Sequence, residues 1–88
     1  MKKFIVISPH TSEDCRLAVK EFRTHNPGFL THFEWGCKDN DHTAYAIIEA
    51  ENHENAKMSV PTLFRTKTKV VMLTNFDPAE TKDPYHNP

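Results

Sequence analysis

The stretch from Phe33 to Ala50 constrains this chain more than any other, because two β-type runs flank a polar turn, Lys38-Asp39-Asn40-Asp41. Asp and Asn bond their own backbone and tolerate the conformations that reverse a chain. On either side Phe33, Trp35, Tyr45, Ile47 and Ile48 suit a pleated, half-buried surface. A β-hairpin follows, and Trp35, Cys37, Asp41 and His42 gather around its tip.

The flanking sequence supplies the other elements. Phe4-Ile5-Val6-Ile7 is an unbroken apolar run, so the strand from Lys3 to Ser8 is expected to carry apolar side chains on both faces. Thr11-Ser12-Glu13-Asp14 offers an N-cap and first-turn acids, and Cys15, Ala18, Val19 and Phe22 recur at helical spacing, which predicts a helix from about Ser12 to Thr24. Asn26-Pro27-Gly28 stops it. A strand from Phe29 to Cys37 alternates Phe33 and Trp35 with His32 and Glu34, as an edge strand does. The strand from Thr43 to Ala50 is apolar on both sides and belongs inside a sheet. Asn52 caps a second helix through Ala56 and Met58, which Pro61 must kink or replace by a separate short turn. Lys69 to Phe76 is the fourth strand. Residues 1–78 thus form one domain, and residues 79–88, rich in proline and without periodicity, read as a flexible C-terminal tail.

Strand, helix, strand, strand, helix, strand is the ferredoxin-like βαββαβ order: an α+β fold with two helices covering one face of a four-stranded antiparallel sheet. The other face stays open. Three strands are apolar on both sides, so that face would show water a larger apolar patch than a monomer tolerates. A chain of 88 residues is also marginal on its own core. Both considerations predict a closed homodimer through the open sheet face.

Eleven Lys and Arg against twelve Asp and Glu give a formal net charge of −1, which supplies no basic field for nucleic acid or an anionic membrane. Only two glycines exist, too few for a Gly-rich phosphate loop. The opening apolar run spans four residues, short of a signal or membrane segment, and a cytoplasmic location is expected. Cys15 and Cys37 are then expected as free thiols.

With its Trp35 near the end of strand two, followed by Thr43-Ala44-Tyr45-Ala46-Ile47-Ile48-Glu49-Ala50, the chain resembles the dimeric α+β barrel superfamily, and within it the small stand-alone prokaryotic proteins of uncharacterised function, over roughly residues 3 to 78. The resemblance implies a ferredoxin-like fold and a homodimer. It implies no chemistry, since the superfamily also holds monooxygenases, muconolactone isomerases, haem enzymes and small nickel-binding proteins, and no catalytic residue carries over.

In this topology strand one is flanked by strands three and four, so its end lies beside the start of strand three. His10, the helix start near Cys15, and the hairpin tip with Cys37, Asp41 and His42 are expected to crowd at that end. His10, Cys37 and His42 are ligand types for a late first-row metal ion. Cys15 reads as a core residue of the helix stripe and Asp41 as a turn residue. His32 and Glu34 share a face and are candidates to line a ligand cavity against the partner, or else solvated edge residues; Trp35 is either a stacking surface for a ligand or core. The expected function is the binding of a small molecule or metal ion near the hairpin of strands two and three. The alternative is a small cofactor-free enzyme, of isomerase or monooxygenase type, with a His base in the dimer cleft.

Overall fold

The computed structural model describes residues 1–25 and 33–75. Strand β1 (Lys2–Pro9) buries Phe4, Val6 and Ser8 on one side and half-buries Ile5 and Ile7 on the other, as its unbroken apolar run requires. Thr11 then caps a 3-10 turn, Ser12–Asp14, its hydroxyl oxygen accepting from the Asp14 N–H at 3.2 Å. Helix α1 (Cys15–His25) continues from that turn and docks through Ala18 and Phe22, while Val19, expected on the same stripe, is exposed.

Strand β2 (Glu34–Trp35) pairs with β3 (Thr43–Ala50), and β3 pairs along its whole length with β1. Asn52 caps α2 (His53–Lys57), its side-chain oxygen accepting from the Asn55 N–H at 2.8 Å. Pro61, expected to kink the second helix or to start a separate short turn, does the latter: with no N–H to continue the ladder it stands as the N-cap of α3 (Thr62–Arg65), so three helices stand where two were expected. Strand β4 (Lys69–Leu73) closes the sheet beside β1. Residues 29–32 of the expected second strand, with His32, and the tail of residues 79–88 lie outside the described residues.

The sheet order is β2-β3-β1-β4 and every pairing is antiparallel. Strand one lies between strands three and four, as the topological reading requires. Phe4, Val6, Ala44, Ala46 and Ala50 form one face, and against it pack Ala18 and Phe22 of α1, Ala56 of α2 and Phe64 of α3, with Phe33 and Val60. The fold is α+β, a four-stranded antiparallel sheet with helices on one side. Cross-strand partners share a face. Ile5 opposite Ile47 and Val71, Ile7 opposite Tyr45, and Lys3 opposite Leu73 therefore line the uncovered face, where Ile47 is 59 % exposed.

Candidate metal centre

The register of β1 and β3 brings two histidines together. The ladder ends at Pro9↔Thr43, and one step further the His10 backbone N–H donates to the His42 carbonyl at 2.9 Å. Their rings stand 5.8 Å apart, edge to face. His10 is thus delivered by the end of β1 and His42 by the start of β3, at one end of the sheet.

Cys37 arrives from the hairpin. After Trp35 the chain enters a 3-10 turn, Cys37–Asp39, and leaves it through Asn40 in the left-handed conformation at φ 61°, which Asn tolerates better than other side chains. Gly36 anchors both limbs: its N–H donates to the Thr43 carbonyl at 3.0 Å and its carbonyl accepts from Asp41 N–H at 3.0 Å. The carboxylate of Asp41 accepts from the Thr43 hydroxyl at 2.8 Å and from the Tyr45 hydroxyl. Those two hydrogen bonds hold the Asp41 carboxyl below its ordinary value, since they favour the charged form. Asp41 is therefore the turn residue expected, tying the hairpin tip to β3.

Cys15 is the fourth member. As the first residue of α1 it projects back toward the helix N-terminus, off the end of the core, and its Sγ lies 3.0 Å from Cys37 Sγ, to which it donates. His10 Nε2 is 3.3 Å from Cys15 Sγ and 3.4 Å from Cys37 Sγ, and His42 Nδ1 is 3.8 Å from Cys15 Sγ. One donor atom from each of His10, Cys15, Cys37 and His42 lies within 4.8 Å of every other. A tetrahedral zinc ion spaces two sulfurs about 3.8 Å apart and sulfur from nitrogen about 3.6 Å. Three of the four sulfur–nitrogen contacts, at 3.3, 3.4 and 3.8 Å, bracket that value. Admitting an ion requires the sulfurs to part by less than about 1 Å.

The protonation states suit this use. Burial, then the neighbouring His42, lower the His10 pKa and keep its imidazole neutral, with a lone pair to offer. Burial, then the hydrogen bond and charge of Cys15, push the Cys37 thiol up to about 11, so without a metal it stays protonated at neutral pH. A divalent cation reverses this, because a coordinated thiol loses its proton outright. Two thiolates and two imidazoles would then cancel the charge of such an ion.

Of the residues singled out from the sequence, His10, Cys37 and His42 come together here. Trp35 packs edge-on against Phe22 at 5.0 Å and near His10 at 5.8 Å, forming an apolar wall. Glu34 is exposed and paired with Tyr45 on the uncovered face, away from Trp35. His32 lies outside the described residues. Cys15, read as a core residue, is the member that spacing could have found: His10 and Cys15 are separated by the same interval as Cys37 and His42, in mirror order.

Comparison with models of known protein families, with curated proteins and with solved structures finds no match to this chain.

Proposed function

We propose that this protein binds a late first-row metal ion, zinc by its ligand chemistry, between His10, Cys15, Cys37 and His42. One observation carries the reading: four donor atoms from three separate segments converge within 4.8 Å. Two sulfurs and two imidazole nitrogens are a zinc set, and four protein ligands leave no coordination position open for a substrate. The ion is then structural or regulatory, clamping the end of β1 and the start of α1 to the β2–β3 hairpin. The reading carries a cytoplasmic placement with it, since a reducing compartment keeps both thiols available.

The sheet order supports a ferredoxin-like assignment, and the apolar uncovered face supports a homodimer packed sheet against sheet, as in the dimeric α+β barrels. The rival, an enzyme with a histidine base in that cleft, has less behind it: among the described residues, the strands put no histidine on the uncovered face.

Titration of the reduced, metal-free chain with zinc, nickel and copper tests the proposal, with cobalt as a spectroscopic probe for thiolate ligation. One ion per chain and cobalt bands of sulfur-to-metal charge transfer are expected, with copper tightest by the general order of affinities. A chain that takes up none of these ions overturns the reading.

A further inference from the structure

Cys15 and Cys37 face each other in a way that four-ligand binding alone does not demand. Their sulfurs stand 3.0 Å apart, closer than the roughly 3.8 Å of a tetrahedral zinc site and further than the roughly 2.05 Å of a disulfide bond. Less than about 1 Å of movement in either direction reaches one state or the other. Both thiols are half-buried rather than sealed, and the sequence holds only these two cysteines, so a bridge within the chain has no competitor inside it. Each sits at the start of a helical turn, Cys15 on α1 and Cys37 on the 3-10 turn after Gly36.

The geometry points to a metal–disulfide exchange: hydrogen peroxide converts Cys15 and Cys37 to a disulfide and expels the ion. This rests on the metal reading above. The chemistry balances in two steps. One thiolate attacks a peroxide oxygen, forming an S–O bond as the O–O bond breaks, and the departing hydroxide takes a proton from solvent and leaves as water. The second thiolate then displaces hydroxide from the sulfenic sulfur, forming the S–S bond as the S–O bond breaks, and a second proton makes the second water. The sulfur pair loses two electrons and the peroxide gains them; the zinc ion keeps its charge throughout. His10 and His42 remain as two ligands, half the set that held the ion, and release follows.

The test uses the full chain loaded with zinc and treated with hydrogen peroxide, while zinc release to a chromogenic chelator and intact mass are followed together. One zinc is expected to leave per chain as the mass falls by two hydrogens, and a thiol reductant should restore zinc uptake in full. Cys15→Ser, loaded as far as it will go, should show no loss of two hydrogens and no rescue of that kind. Failure of the metal reading appears at the loading step, before peroxide is added. If the chain loads but keeps its zinc through peroxide, or loses it with added oxygens or by crosslinking to another chain, the exchange is overturned and the metal site stands.

Discussion

Cys15 Sγ and Cys37 Sγ lie 3.0 Å apart across 22 residues of sequence, one at the head of a helix and the other on the turn of a hairpin. That contact makes Cys15 the equal of Cys37 in any metal site. Cys15→Ser and Cys37→Ser should each weaken zinc binding at least about a hundredfold, because a hydroxyl in place of a thiolate leaves three good ligands and an uncancelled charge. If Cys15 were only a core residue, its serine variant would lose stability and bind zinc normally. Zinc affinity and thermal melting of the metal-free chain, measured side by side, separate the two.

The hairpin turn offers a test that touches no ligand. A Cβ at Gly36 would sit 2.7 Å from the Asp41 carbonyl oxygen and 3.1 Å from its Cβ, so the limbs holding Cys37 and His42 must spread. Gly36→Ala should weaken zinc binding by about tenfold or more, the scale on which groups that orient ligands act. The core around Phe4 and Phe22 should remain in place. Circular dichroism unchanged with affinity reduced is the expected pair of results, and unchanged affinity counts against the turn as the site's frame.

Much of the fold was legible because it rests on local chemistry. Phe4 to Ile7 could only be a strand apolar on both faces, Asn52 could be recognised as a cap, and Pro61 could not continue a helix. His10 and His42 could be placed at one end from strand order alone, and the backbone bond between them bears this out. Cys15 was hidden by its own helix. Helical spacing with Ala18 and Phe22 put it on an apolar stripe, but at the first position of a helix the side chain leans past the end of the core instead of into it. The 3-10 turn at Cys37 and the left-handed Asn40 were equally hidden, since they follow from hydrogen bonds to Gly36 that no spacing rule encodes.

The metal-free protein should lose stability at both ends of the pH scale, for separate reasons. Cys37, pushed up from 9.0 to about 11, favours the protonated thiol in the fold; its contribution is complete below pH 9 and is lost as pH rises toward 11. Asp41 is held below its usual 3.8, so its contribution is present above that value and is lost as pH falls through the lowered one. Tyr45 is raised by the same bond and adds to the alkaline loss. Melting curves should show the alkaline fall shrink in Cys37→Ala and the acid fall shrink in Asp41→Asn. Zinc should flatten the alkaline side, because coordination removes the thiol proton in advance. An alkaline fall unchanged in Cys37→Ala would assign it elsewhere.

The uncovered sheet face supplies the last expectation. Ile5 sits between Ile47 and Val71, and Ile7, Tyr45 and Leu73 extend the patch, an apolar centre rimmed by Lys3, Glu34, Glu49 and Lys69, with Ile47 the most exposed of its isoleucines. A surface of this kind is covered in stable soluble proteins, and self-complementary packing of two sheets covers it without any other partner. Light scattering of the wild-type chain at micromolar concentration should report twice 10.2 kDa. Ile47→Lys places a charge at the centre of the contact, where two copies would each bury it unpaired, so the variant should sediment as a monomer. Because Ile47 is 59 % exposed in the single chain, the change should leave the folded monomer within about 1 kcal/mol of the wild type. A wild type already monomeric at that concentration would show that the face is tolerated in water, and sheet-to-sheet association would then have to be abandoned independently of the metal site.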